Sequence, residues 1–269
     1  MLTQTAYAKI NLALHVRRRR EDGYHELETL FAFVDDGDRL TARPAPQDAL
    51  HTFGEFASAL DDPFGNIVAK SLNRLPHGAG WAVELDKRLP VAAGLGGGSA
   101  DAGAIFRMVE AEHGLPDDWR NRAARLGADV PACVLSRTCI GTGTGTDLET
   151  IDSDLAGTPV LLVNPRLPVP TGPVFKAWDG QDRGPMPSGS VREMALGGRN
   201  DLEAPAIGLC PAIADVLAAL RETGAFLVRM SGSGATCFAL YDSAAQRDQA
   251  EGAMASANPE WWSMAGKLR

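Results

Sequence analysis

Between Leu89 and Gly114 the chain reads LPVAAGLGGGSADAGAIFRMVEAEHG, with glycine at 94, 96, 97 and 98 directly ahead of a helical pattern. Ala102, Ile105, Phe106 and Val109 recur at the spacing of one helix face, which predicts an amphipathic helix stopping at Gly114. Glycine lets the backbone take positive φ and come close to a ligand. The first N–H groups of a helix have no partners within it and sit at the positive end of its dipole. A glycine-rich approach to a helix start is therefore an anion site suited to phosphates. Ser99 is placed to cap that helix, or to offer its hydroxyl to a phosphate oxygen or a metal. No GK[ST] follows the glycines, so this is not a Walker A loop. Counted from Gly94, the sixth position of a G-x-G-x-x-G/A motif is Ser99, so it is not the dinucleotide fingerprint either. A flexible turn or tight helix–strand packing would use the same glycines, and composition leaves these alternatives open.

The flanking segments set the fold class. From Ala6 to Val16 the residues alternate, with Ala6, Ala8, Ile10, Leu12, Leu14 and Val16 on one face and Tyr7, Lys9, Asn11 and His15 on the other. Period two predicts a strand with one face in the core. RRRREDGYH is a charged turn around Asp22-Gly23, and ELETLFAFV restarts as a strand, making a hairpin or short meander. Residues 43–65 read as loop or irregular strand. A helix from Asn66 (Val68, Leu72, Leu75), a strand at WAVELD and a helix from Pro116 to Leu126 complete the first half. Beyond residue 150, PVLLV reads as a buried strand and 179–200 as a Gly/Pro/Ser-rich connector. Pro211 opens a helix through Ile213, Val216, Leu217 and Leu220 that Gly224 ends. FLVRM and TCFALY are strands around the turn SGSGA, and an alanine-rich helix starts near Ser243. The expectation is an α+β chain of two domains, 1–150 and 151–269.

Bulk properties bound the partners. The chain has 269 residues, 45% hydrophobic and 22% charged, enough for a sizeable core. A net charge of −8 argues against a general nucleic-acid surface, so phosphate must be held by local positive charge and backbone amides. Cys133, Cys139, Cys210 and Cys237 have no metal-type spacing and read as buried small hydrophobes in a reducing compartment. There is no basic n-region followed by an apolar block, and no run of roughly 18 apolar residues. A soluble, cytoplasmic protein with no membrane or nucleic-acid partner is expected.

The run Pro90-x-x-x-Gly94-Leu95-Gly96-Gly97-Gly98-Ser99-Ala100 resembles the phosphate loop of the GHMP kinases. Three further blocks resemble segments of that superfamily. They are AYAKINLALHV with DGYHELETLF, LGADVPACV from Leu126 to Val134, and MSGSGATCFALYD. In order, the blocks span residues 6 to 242, while 41–65 and 179–199 match no motif. The resemblance implies an N-terminal ribosomal-protein-like α+β domain that binds ATP, a C-terminal ferredoxin-like domain and an active site in the cleft between them. It also implies ATP and Mg²⁺, with the Mg²⁺ ligands left open, and a monomer or homodimer. Within the superfamily, the blocks are most similar to a member of the non-mevalonate isoprenoid route. That enzyme phosphorylates the 2-hydroxyl of a methylerythritol unit linked to cytidine diphosphate.

The same resemblance assigns roles. Lys9 corresponds to the family's catalytic lysine, pairing with Asp129 and the acceptor hydroxyl, and Asp129 to the base. On its own, Lys9 reads as a solvated strand lysine and Asp129 as a helix N-cap or turn residue. The substrate-binding candidates are Asn11, on the same strand face as Lys9, against a cross-strand hydrogen bond; by resemblance His25 bonding the cytosine and Tyr24 stacking on it, which alone read as surface turn residues; Phe175 on its other face, against a core role; and Gly232 and Gly234 closing the C-terminal turn over the substrate, against a simple hairpin turn. Lys87 is a candidate to approach the ATP, against a solvated alternative. Arg17 to Arg20 read as a solvated loop or as a steering patch for the substrate's diphosphate. A different alcohol substrate and a catalytically silent sensor are the competing readings. The cytosine set counts against the first, and the presence of both Lys9 and Asp129 against the second.

Overall fold

The computed structural model describes residues 1–60 and 66–269. The first half runs β1 (Leu2–Arg19), β2 (His25–Ala45), β3 (Ala49–Phe53), α1 (Ile67–Leu72), β4 (Gly80–Asp86), α2 (Gly97–His113), α3 (Trp119–Ala124) and α4 (Val130–Leu135). The rest runs β5 (Cys139–Gly143), β6 (Asp147–Thr150), β7 (Pro159–Asn164), α5 (Thr171–Ala177), α6 (Val191–Gly197), α7 (Glu203–Leu209), α8 (Ala212–Arg221), β8 (Leu227–Met230), β9 (Cys237–Leu240), α9 (Ala244–Ala257) and β10 (Trp262–Lys267). The chain packs into two compact units that interleave along the sequence. The first is Met1–Lys9, Asp36–Val91 and Gly96–Ser136, and the second is Ile10–Asp35, Ala92–Leu95 and Arg137–Arg269.

In the first unit β4 pairs antiparallel with the later part of β2 and parallel with β3. Helix α2 was expected to be amphipathic. Instead Ala100 to Phe106, Met108 and Val109 are all buried. Small residues make this possible: a side chain on Gly103 would meet the Cys133 carbonyl of α4 at 2.5 Å. A helix with no wet face over two turns is part of the core, and its start is held rigidly.

In the second unit β2 pairs with β5 and β5 with β6, all antiparallel. A separate antiparallel sheet has the order β10-β7-β9-β8. With α5–α8 between β7 and β8 and α9 between β9 and β10, this is the βαββαβ arrangement of a ferredoxin-like unit. Its core joins Leu161 and Val163 of β7 to Ile213, Val216, Leu217 and Leu220 of α8. The α8 residues are at most 1% exposed, and each contributes about 1.5–3 kcal/mol of burial.

Several sequence expectations need correction. The polar face of β1 is not solvated: Lys9, Asn11 and His15 are at most 3% exposed. The helix expected over 116–126 shrinks to α3, and Pro116 instead accepts a turn hydrogen bond from Trp119 N–H. The connector 179–200 contains α6, started by a capping box in which Ser190 and Glu193 bond each other's backbone N–H groups. The stretch read as loop at 43–65 holds the end of β2, all of β3 and a 3₁₀ turn at Ala57–Ala59; its last five positions, 61–65, lie outside the described residues. As expected, β1 pairs with β2, Asn66 caps α1 through Val68 N–H, and all four cysteines are free and buried.

Candidate active site

In the first unit the glycine loop enters α2 through Gly96, which takes the left-handed conformation at φ 60° as the N-cap. The helix begins at Gly97, so Ser99 lies inside the first turn and is not the cap. Of the four glycines only Gly94 (φ 77°) and Gly96 use a backbone that L-residues rarely adopt. A side chain on Gly96 would lie 3.0 Å from Lys9 Cε and 3.7 Å from Asp129 Oδ2. The loop, the lysine and the aspartate therefore share one small volume.

Asp129 occupies the N-cap position of α4, yet its side chain makes no capping hydrogen bond. Its Oδ2 lies 3.2 Å from Lys9 Nζ. The lysine side chain is 4% exposed and the aspartate 34%, so the pair is buried at the ammonium and open at the carboxylate. The carboxylate remains reachable by a hydroxyl from solvent.

Lys87 lies beneath the loop: a side chain on Gly97 would come within 3.2 Å of its Nζ. The ammonium is 2.5 Å from Asp38 Oδ2 and 2.7 Å from Asp101 Oδ2, and all three residues are at most 2% exposed. Asp38 also accepts the Arg88 and Leu89 N–H groups at 2.6 and 2.8 Å. Asp101 Oδ1 has no partner. Burial pushes the Asp101 carboxyl up to about 8 against the pull of Lys87. Burial would lower Lys87, but the two carboxylates outweigh it and raise its pKa.

In the second unit the turn 231–235 is tied to the early part of the loop. Ser231 Oγ donates to Gly94 O at 2.8 Å and accepts the Asn11 N–H at 3.2 Å. Asn11 Nδ2 donates to Thr29 Oγ1 at 2.7 Å. Gly232 (φ 57°) and Gly234 (φ 86°) both need glycine's freedom, and a side chain on Gly94 would run into the Ser231 carbonyl. Asn200, which carried no sequence signal, donates 2.8 Å hydrogen bonds to the Met230 and Gly232 carbonyls.

His25 lies 5.0 Å from Phe175, ring to ring, and 5.7 Å from Trp178. Its Nε2 is buried without a partner. Burial lowers the His25 pKa and the nearby Arg19 lowers it further, both favouring the uncharged ring. Tyr24 is 63% exposed. The arginine run is largely matched by acids. Arg17 pairs with Glu28 and Asp182, and Arg20 with Asp22 and Glu26.

Sequence reasoning missed Asp38, Asp101, Asn200, Ser231 and Trp178 as parts of this machinery. Asp38 and Asn200 act across long sequence separations that no local pattern reveals, whereas Asp101 and Ser231 lie inside the glycine-rich stretches themselves.

A glycine loop beside a lysine–aspartate pair is arranged to receive an anion next to an open carboxylate, and the family comparisons bear on that arrangement. The model for the GHMP kinases N terminal domain matches residues 64–137 and that for GHMP kinases C terminal matches 190–260. Among curated proteins, the 4-diphosphocytidyl-2-C-methyl-D-erythritol kinase of Novosphingobium aromaticivorans is 72% identical, across 100% of this chain and 93% of that one. The protein of the same name from Erythrobacter litoralis is 63% identical over 100% of both. A crystal structure of 4-(cytidine 5'-diphospho)-2C-methyl-D-erythritol kinase matches with a TM-score of 0.84 and 34% identity over 99% of each chain. Homoserine kinase from Cytophaga hutchinsonii shares the fold, with a TM-score of 0.67 and 17% identity over 100% of this chain and 96% of that one. The chain belongs to the GHMP kinases and, within them, to the 4-diphosphocytidyl-2-C-methyl-D-erythritol kinase family.

Proposed function

We propose that the chain transfers the γ-phosphoryl group of ATP to the 2-hydroxyl of 4-diphosphocytidyl-2-C-methyl-D-erythritol, giving the 2-phosphate and ADP in the non-mevalonate route to isoprenoid precursors. As a GHMP kinase it is a small-molecule kinase that uses ATP. The observation that carries the reading is the Lys9–Asp129 pair beside Gly96, buried at the ammonium and open at the carboxylate.

The first turn of α2, approached through Pro90, Gly94, Leu95 and Gly96 and built from Gly97, Gly98, Ser99 and Ala100, receives the phosphates on its N–H groups. Asp129 orients the acceptor hydroxyl and takes its proton. Lys9 steadies that carboxylate and the alkoxide character developing on the hydroxyl oxygen. Phosphoryl transfer is usually loose, so positioning and charge stabilisation supply much of the rate. Lys87, bound to two buried carboxylates, supports the loop from below. His25 bonds the cytosine, Phe175 and Tyr24 supply the stacking faces, and Asn11, Gly232 and Gly234 shape the acceptor side.

Among the described residues no group of three or more His, Cys, Asp or Glu side chains is placed to hold a metal. Mg²⁺ therefore fits as a companion of the nucleotide phosphates, whose charge it would offset. Among the described residues no helix is long and apolar enough to cross a membrane.

The test is ATP consumption with the cytidyl acceptor, homoserine or mevalonate, in the wild type and in Asp129→Asn. Turnover confined to the cytidyl acceptor and lost in the variant supports the reading. Equal turnover of the other alcohols, or an active variant, contradicts it.

A further inference from the structure

Lys9 and Asp129 stand on different elements of the first unit, β1 and the start of α4, so the 3.2 Å between them depends on what holds those elements together. Helix α4 has only six residues, and the Asp129 side chain does not cap it. A helix that short does not hold itself in water and takes its place from its neighbours.

Helix α2 supplies the hold along one face. Gly103 and Arg107 are four residues apart and lie one above the other. A side chain on Gly103 would meet the Cys133 carbonyl at 2.5 Å, so α4 is pressed against α2 at that point. Arg107 grips the same carbonyl: its Nη1 donates to Cys133 O at 2.6 Å and to Ser136 Oγ at 2.9 Å. The Cys133 N–H donates in turn to Asp129 O at 3.0 Å, so a single residue links the arginine to the backbone of the aspartate. Ser136 ends the helix in the left-handed conformation and closes this corner by donating to Cys133 O at 2.6 Å. A cation there also meets the negative end of the α4 dipole.

The same guanidinium reaches β1. Its Nη2 donates to Thr5 O at 2.7 Å and its Nε to Gln4 Oε1 at 3.3 Å. The guanidinium carbon stands 5.5 Å from the Tyr7 ring centroid, within cation–π reach. Thr5, Tyr7 and Lys9 share one face of the strand. One half-buried side chain, marked by no motif, therefore spans α2, α4 and β1.

We propose that Arg107 is a positioning residue: by tying Cys133 and Ser136 at the end of α4, and Thr5 of β1, to α2, it keeps Asp129 within reach of Lys9. The proposal rests on the Lys9–Asp129 mechanism given above. Strand β1 is also held by its pairing with β2, whereas α4 lies in no sheet. Loss of Arg107 therefore moves Asp129 more than Lys9. Misplacing a group that orients the acceptor by about 1 Å costs on the order of 10²-fold in rate.

The test has two arms. The first needs no substrate: crystal structures of the wild type and of Arg107→Met, with a calorimetric melt to show that each is cooperatively folded. We expect α4 to shift and the Lys9 Nζ to Asp129 Oδ2 distance to pass about 4 Å, the limit of an ion pair. An unchanged distance overturns the proposal. The second arm measures kcat and the KM of ATP and of the cytidyl acceptor. For Arg107→Met kcat should fall by about 10- to 10²-fold, with both KM values within about twofold of the wild type. A merely structural role would lower Tm and leave the kcat of the folded enzyme in place. Arg107→Lys keeps the charge but not the fork that spans three elements, so its kcat should fall between the two. If Arg107→Met does not fold, Arg107→Lys carries both readouts. A folded variant with unchanged kcat overturns the proposal and leaves the proposed function standing. A wild type that does not turn over the cytidyl acceptor fails that function, and the crystal structures alone then decide whether Arg107 sets the pair.

Discussion

Two lysines flank the same glycine loop in the first unit, and they differ in one respect. Lys87 and both of its carboxylates are sealed, at most 2% exposed, while Lys9 shares its charge with an aspartate that is 34% exposed on its side chain. Nothing can reach the sealed group, so its charges serve only one another and the loop above. The open carboxylate keeps a face for a substrate hydroxyl. On the proposed mechanism, exposure of the acid, not presence of a lysine–aspartate contact, separates the reactive pair from the supporting one.

Breaking the open pair has the largest expected effect. Asp129→Asn keeps the shape and removes the proposed base, and kcat should fall by about 10²–10⁴-fold with KM far less affected. A steady-state comparison with a thermal melt checks this, because the melting temperature should hold. Breaking the sealed group should do the reverse. Lys87→Met strands two buried acids and should cost about 3–5 kcal/mol, lowering Tm by on the order of 10 °C in calorimetry.

A smaller effect separates the groups by pH. Asp101 binds its proton more tightly folded than unfolded, its value rising from 3.8 to about 8. The stability it contributes is therefore full below about 3.8 and is lost as pH rises through that window. In Asp101→Asn this part of the slope should vanish, which urea titrations at pH 5 and about 8.5 would read. His15 supplies the opposite sign in the second unit. Burial, helped by Arg199, lowers its folded pKa from 6.5, so the stability it contributes is lost as pH falls below that value. The smallest effect belongs to Gly98. A side chain there would meet Ile67 Cγ2 at an ordinary 3.5 Å, so Gly98→Ala should leave Tm unchanged or raise stability by up to about 1 kcal/mol.

Much of this was legible along the chain. The alternation in β1, the α8 stripe of Ile213, Val216, Leu217 and Leu220 and the glycine-rich start of α2 are local patterns, and each produced the expected type of element. What failed was anything set by tertiary surroundings. The polar face of β1 looked solvated because period two reports alternation, not what covers each face. Helix α6 was hidden in a Gly/Pro-rich stretch, although Ser190 and Glu193 form a capping box three residues apart that could have revealed it. The candidate site divides in the same way. The glycine loop announces itself, but the link of Lys87 to Asp38 and Asp101, like that of Asn200 to the 231–235 turn, joins residues far apart in sequence.

The open pair is proposed as the reactive one. The most direct measurement is kcat and Tm for Asp129→Asn and Lys87→Met side by side, on the cytidyl acceptor with saturating ATP. The account predicts a crossed result, with Asp129→Asn inactive but stable and Lys87→Met destabilised yet catalytically competent at temperatures where it stays folded. A folded Asp129→Asn with near wild-type kcat would contradict it.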